Sequence, residues 1–318
     1  DWETVVDNAA SVGSGHMHKL LKAFYVSRMG PIIKSKLYKE LKSYFSGDGN
    51  SDSWSAKLTE LKQFSEFYKL YFKYENRNDV RDLISVEGSN DKKHDYRLQH
   101  ILESLNGLHH AGITQTIPLL FSIIHSHKKA KMILNKNNKD ILACVFRDLE
   151  NFHFINNKIC ARRANVVEAK YAQFSQKFYQ TEDETRFKEN LDSLNKFLEL
   201  KLANEGEFIE SFCELSYEPR KVKDFLYIFN RFNTEIQLNK PVENGKTAPE
   251  IYHNNVKLNK APSRGFYEVE HWVPQALGKK YWPGEPEENS SIYHNIGNLS
   301  VYPSNINAKF ADSLPQEK

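Results

Sequence analysis

Four stretches of this sequence repeat apolar residues at steps of three and four, and that spacing decides most of what the chain can fold into. Leu98, Ile101, Leu102, Leu105 and Leu108 form one set, and Ile141, Leu142, Val145, Phe146, Leu149 and Phe152 a second. Phe187, Leu191, Leu194 and Leu198 form a third; Val222, Phe225, Phe229 and Phe232 a fourth. Residues three or four apart share one side of a helix, so each set predicts an amphipathic helix with a buried stripe. Helix-breaking clusters separate the periodic stretches: Gly47 to Asn50, Glu87 to Asn90, Asn135 to Asn138, and Glu205-Gly206. Pro118 follows Thr116 at a place where a first-turn proline is tolerated. Between about His18 and Leu238 the pattern predicts eight or nine helices and no alternating strand. The aromatic run Phe64, Phe67, Tyr68, Tyr71 and Phe72 has the same spacing and reads as core. His16/His18 and His125/His127 are two residues apart, which on a helix turns the rings away from each other, so neither pair reads as a metal site. His125, His127, Lys128, Lys129 and Lys131 instead suit a helix C-terminus.

After Leu238 the texture changes. Residues 239–265 hold Pro241, Gly245, Pro249, Pro262 and Gly265 with little periodicity, longer than a usual connection inside one domain. The sequence therefore predicts an all-helical domain over 1–238 and a second domain, with its linker, over 239–318. Phe266 to Val273 alternates aromatic or β-branched with polar residues, as a strand does. A Gly/Pro/Glu-rich loop from Gly278 to Ser291 precedes a second strand, Gly297 to Tyr302. Ser304 then stands as N-cap to a helix reaching Phe310. The fold class expected is mainly α: a large helical bundle followed by a small ββα domain.

Composition removes several function classes. Hydrophobic residues make up 40% of the 318, enough for a core, yet no run approaches the roughly 18 apolar residues that span a bilayer. Cys144, Cys160 and Cys213 form no CxxC pair, which argues against a disulfide framework and for a reducing, cytoplasmic (bacterial) setting. The opening Asp1-Trp2-Glu3-Thr4 lacks a signal-peptide pattern and an initiator Met, so a fragment of a longer protein is expected.

The second domain carries the chemistry. Phosphodiester hydrolysis needs a base for water and a divalent cation for the phosphate and the leaving oxygen. Histidine suits the first role, because its ordinary pKa of about 6.5 leaves it largely neutral in the cell. Oxygen ligands suit the second, since Mg²⁺ takes one or two from protein and completes its shell with water and phosphate. Glu270-His271 supplies both groups side by side. Strand neighbours point to opposite faces, so the strand is expected to end or bend there, near Pro274. Asn307 offers an amide oxygen to the cation, and Asn298 a hydrogen bond across the hairpin that holds the His271 ring.

The run Val269-Glu270-His271-Trp272-Val273-Pro274-Gln275, followed by Gly297-Asn298-Leu299 and Asn307, resembles the HNH (ββα-metal) endonuclease domain. The Glu-His form with Pro-Gln and a Gly-Asn-Leu strand is similar to the C-terminal portion of GmrSD/SspE-type modification-dependent restriction and phage-defence proteins. The helical region also resembles that group's linking domain around Leu20 to Tyr25 and Arg162-Arg163. The resemblance implies that His271 is the general base, Asn298 orients it, and Glu270 and Asn307 bind Mg²⁺ or another divalent cation such as Mn²⁺. It implies metal-dependent nicking or cleavage of double-stranded DNA, foreign or phage DNA above all. It also implies an N-terminal nucleotide-hydrolysing sensor domain in the full-length protein; no Gly-x-x-x-x-Gly-Lys stretch occurs here.

Charge complicates the grip on DNA. From Arg264 to Lys318 five Lys/Arg stand against seven Asp/Glu, a net −2, so the preceding residues carry +3 − (−2) = +5. Neutralising phosphates therefore falls to the helical part or the linker. Candidates are Lys128, Lys129, Lys131, Lys136, Lys139, Arg162, Arg163, Lys257, Lys260 and Arg264, with His294 as a further contact to phosphate or metal, although a solvated face is the commoner outcome for each cluster and packing or exposure at least as common for His294. The rival reading is a non-catalytic helical DNA-binding or scaffold module with a degenerate HNH region.

Overall fold

A computed structural model describes residues 1–46, 51–73, 80, 82, 94–130, 141–218, 222–238, 267–274 and 290–303. The chain is mainly helical with one small two-stranded sheet, and it divides into two compact units, Asp1–Leu202 and Ala203–Lys318.

The first unit holds α1 (Trp2–Val12), α2 (His16–Met29), α3 (Leu37–Ser46), α4 (Ser51–Phe72), α5 (His94–His110), α6 (Ile117–Lys129), α7 (Ile141–His153), α8 (Glu168–Tyr179) and α9 (Glu184–Lys201). The first three apolar stripes lie where their spacing puts them: Leu98, Ile101, Leu105 and Leu108 on α5, Leu142 to Phe152 on α7, and Phe187, Leu194 and Leu198 on α9 are buried. Phe64, Phe67, Tyr68 and Tyr71 on α4 are buried too, so that aromatic run is core. Around them α1 packs on α4, α5 on α7, and α6 on both α2 and α8. Helix α6 buries every residue from Ile117 to Ile124, as a helix enclosed on all sides must, and Pro118 stands in its first turn.

Charged residues are buried in this core too, Glu150 on α7 and Arg28 on α2 among them. Arg28 on α2 is 2% exposed, with its guanidinium carbon 3.8 Å from the Phe24 ring centroid and 4.6 Å from that of Tyr179. Its Nε lies 3.2 Å from the Glu60 carboxylate, and Nη1 donates to the Ser27 hydroxyl at 2.6 Å. Ring faces and a partly exposed carboxylate thus replace the water this cation loses.

The second unit holds α10 (Glu205–Cys213), α11 (Val222–Leu238), β1 (Tyr267–His271), α12 (Ser290–Tyr293) and β2 (Leu299–Pro303). Glu205-Gly206 is no helix breaker. It forms the first turn of α10, because Asn204 caps the helix by accepting from the Glu207 N–H at 2.9 Å. The fourth stripe is only partly buried: Phe225, Tyr227 and Ile228 form the buried side of α11, whereas Phe232 is 50% exposed and meets Phe212. Eleven helices of nine residues or more occur among the described residues, ten of them from α2 onward, where spacing predicts eight or nine.

The division at Leu202 differs from the change of texture at Leu238. Helix α11 packs against both strands, so α10 and α11 share a unit with the sheet despite their helical sequence. Residue Ser304 and the helix expected after it, which would complete the ββα order, lie outside the described residues. None of the described helices is long and apolar enough to cross a membrane.

Candidate active site at the end of the β ladder

The two strands pair antiparallel in an unbroken register: Tyr267 with Pro303, Glu268 with Tyr302, Val269 with Val301, Glu270 with Ser300 and His271 with Leu299. The ladder therefore runs through His271, and the bend comes after it, at Trp272–Val273. The strand thus ends at His271, as expected, with the bend just before Pro274. In a regular ladder the two side chains leave opposite faces, Glu270 with Ser300 and His271 with Leu299.

Asn298 makes the bend. Its main-chain carbonyl accepts from Trp272 N–H at 2.7 Å, and its Oδ1 accepts from Val273 N–H at 2.9 Å. Its Nδ2 donates to the carbonyls of Val273 at 3.2 Å and Tyr293 at 2.9 Å. The side chain is 7% exposed, so main-chain groups satisfy the buried amide completely. The hydrogen bonds across the hairpin are present, but they end on backbone and reach His271 only through the chain that carries it.

The His271 ring meets other partners. Its Nε2 lies 3.1 Å from His294 Nδ1, with the imidazole centroids 5.2 Å apart. Tyr217 completes a cluster of three rings, edge-on to His271 at 5.3 Å and stacked with His294 at 6.0 Å. Both imidazoles are half-buried, within reach of solvent. A short strap fixes Tyr217: its N–H donates to the His294 carbonyl at 2.6 Å, Ile296 N–H to the Leu215 carbonyl at 2.9 Å, and Asn295 Nδ2 to the Cys213 carbonyl at 2.5 Å. Asn295 Oδ1 accepts in turn from Gly297 N–H, setting the short turn Ile296–Asn298 that leads into β2. His294 is visible in the sequence near Asn298. Tyr217 carries no such signal, since it lies beyond a long linker and belongs to no motif.

Donor chemistry around Glu270 suits a hard cation. Among the described residues no group of three or more His, Cys, Asp or Glu gathers as a closed zinc-type cage would require. Glu270 instead brings one carboxylate, and Ser300 opposite it has a buried hydroxyl with no hydrogen-bond partner among the described residues. One carboxylate with neutral oxygens fits an ion that keeps waters and takes phosphate oxygens. Asn307 lies outside the described residues, as do Lys131, Lys136, Lys139, Lys257, Lys260 and Arg264.

The other candidate contacts to DNA belong to the first unit. Lys129 pairs with Glu182 at 2.8 Å, and Lys128 Nζ donates to the Asp82 carbonyl at 3.4 Å. Arg162 Nη1 donates to the Lys201 carbonyl at 3.1 Å, and Arg163 is exposed. His16 Nδ1 meets the Tyr68 hydroxyl at 2.9 Å, a packing contact within the bundle.

Residues 202–318 match the family described as GmrSD restriction endonucleases, C-terminal domain. The match begins one residue before the second unit, so it takes in α10 and α11 together with the sheet. It points to a nuclease of the restriction type, for which DNA is the implied substrate. No curated protein matches the chain.

Proposed function

We propose that the second unit is an HNH endonuclease that nicks or cleaves DNA with one divalent cation, as the effector half of an anti-phage, type IV-like restriction protein. The observation that carries this reading is the half-buried His271 at the last rung of the ladder, one residue after Glu270, inside a stretch matching a restriction-endonuclease domain. His271 takes a proton from water, whose oxygen then bonds to phosphorus as the bond to the leaving sugar oxygen breaks. That oxygen gains a proton, giving an alcohol and a phosphomonoester. Glu270 and Asn307 are the residues that would hold the ion, and Ser300 stands beside Glu270 as a further oxygen. A bound Mg²⁺ or Mn²⁺ supplies positive charge to the scissile phosphate and the leaving oxygen.

Base and cation ligand stand on consecutive residues where β1 ends, so one phosphate has to lie at that strand end, within reach of both. Asn298 contributes by fixing the main chain on which His271 stands.

Supercoiled plasmid incubated with the chain tests the reading. Conversion to open circle or linear DNA is expected with free Mg²⁺ or Mn²⁺, and none with EDTA. A positioned base contributes about 10²–10⁴ in rate, so His271→Ala is expected to remove detectable scission while the far-ultraviolet circular dichroism stays unchanged. DNA binding without strand scission at any metal concentration would overturn the proposal and leave a scaffold module.

A further inference from the structure

We propose that His294 is a positioning residue for the base: by accepting a hydrogen bond at Nδ1 it holds His271 in the tautomer protonated at Nε2. This inference rests on the reading of His271 as general base, and it gives His294 a role other than contact with DNA phosphate.

A neutral imidazole has one N–H and one lone pair, and the hydrogen bond at one nitrogen fixes which is which. The 3.1 Å separation between His271 Nε2 and His294 Nδ1 allows only two neutral arrangements. If His271 donates, its lone pair lies on Nδ1 and can receive a proton from water. If His294 donates, His271 holds its proton on Nδ1 and cannot act as a base there. Only the first arrangement lets the same hydrogen bond persist after proton transfer, because Nε2–H remains a donor and His294 Nδ1 an acceptor. Catalysis gains from a partner that needs no reorganisation when charge develops.

The surroundings hold the His294 ring in place. Its carbonyl is held by Tyr217 N–H, its ring stacks on Tyr217, and Asn298 Nδ2 grips the preceding carbonyl, that of Tyr293. Tyr217 also meets the edge of His271, so one aromatic ring backs both imidazoles. A carboxylate commonly orients a catalytic histidine in this way. In the proposed arrangement the His294 ring plays that part, orienting the base without bringing a carboxylate of its own to where DNA phosphate arrives.

Multiple-bond ¹H–¹⁵N spectra of the uniformly labelled chain, without metal or DNA, read the tautomer directly, with His271→Gln identifying the resonance. We expect His271 as the Nε2–H form and His294 with an unprotonated Nδ1. His294→Phe keeps a ring against Tyr217 but removes the acceptor; it is expected to mix the His271 tautomers and lower kcat for nicking about 10–100-fold, the usual size of an orienting partner. KM for DNA is expected to stay within about twofold, since the change acts on the base and not on binding. His294→Asn returns an acceptor near the lost Nδ1 and is expected to restore kcat to within about fivefold, the range expected of an orienting partner regained. A wild-type His271 found as the Nδ1–H form overturns the inference, as does an unchanged tautomer and rate in His294→Phe. Loss of nicking in every protein, with the Nε2–H tautomer present, would instead condemn the nuclease reading. The wild-type spectrum decides the pairing even if a variant does not fold.

Discussion

Asn298 commits its entire carboxamide to main-chain partners, one acceptor contact and two donor contacts, in a place closed to water. Removing it strands a buried N–H and two carbonyls, at about 1–3 kcal/mol each before relaxation. Asn298→Ala is therefore expected to destabilise the second unit by about 2–4 kcal/mol, read as a lower denaturant midpoint. Asn298→Asp is expected to do worse, because a carboxylate keeps the acceptor but sets negative charge against the carbonyls of Val273 and Tyr293. Asn307 makes the contrasting case. If it serves the cation, Asn307→Ala weakens metal affinity more than the base, and raising Mg²⁺ tenfold or more is expected to recover much of the nicking rate. Recovery in that variant but not in His271→Ala separates the ligand from the base.

The strongest helical periods were legible in the chain because packing in the bundle follows the same three-and-four spacing that the letters show. Leu142, Val145, Phe146 and Leu149 are buried on α7 for that reason. Gly206 misled, since a glycine after a good cap is tolerated in a first turn and the hydrogen bond from Glu207 N–H to Asn204 carries no weight in a count of breakers. The unit boundary was hidden for a different cause. Helix α11 has the periodicity of the bundle, but its partner is a sheet that lies beyond a long linker, and periodicity names a buried face without naming what covers it. Of the candidate site, Glu270, His271 and Asn298 belong to the motif and His294 stands out only by its nearness to Asn298; the strap through Leu215 and Tyr217 could not be read at all, being made of main-chain bonds that any sequence can form. The consequence is testable. A fragment beginning at Ala203 is expected to give dispersed amide resonances, whereas one beginning at residue 239, lacking α10 and α11, is expected to be unfolded.

For the molecule as a whole, acid is the expected weakness of the first unit. His153 lies fully buried between Asn157, whose Oδ1 is 2.6 Å from Nδ1, and the Tyr171 hydroxyl, 3.1 Å from Nε2. Burial pushes its pKa down from 6.5 to about 4, so the folded chain keeps it neutral where the unfolded chain would protonate it. Burial lowers His16, His109 and His125 in the same direction. The unfolded state thus binds more protons between pH 6.5 and 4, and stability falls as pH drops through that window. His153 alone accounts for about 3 kcal/mol at the lower end. Denaturant midpoints measured from pH 7 to pH 4 are expected to fall steadily, with a shallower slope in His153→Gln.

The strap at Cys213 to Tyr217 has a mechanical consequence. It begins at the last residue of α10 and ends on the backbone of His294, so the imidazole pair and the helix terminus behave as one lever arm. Any tilt of that helix would be transmitted to the spacing of the two rings, and the aim of the base would change with no atom of His271 itself being touched.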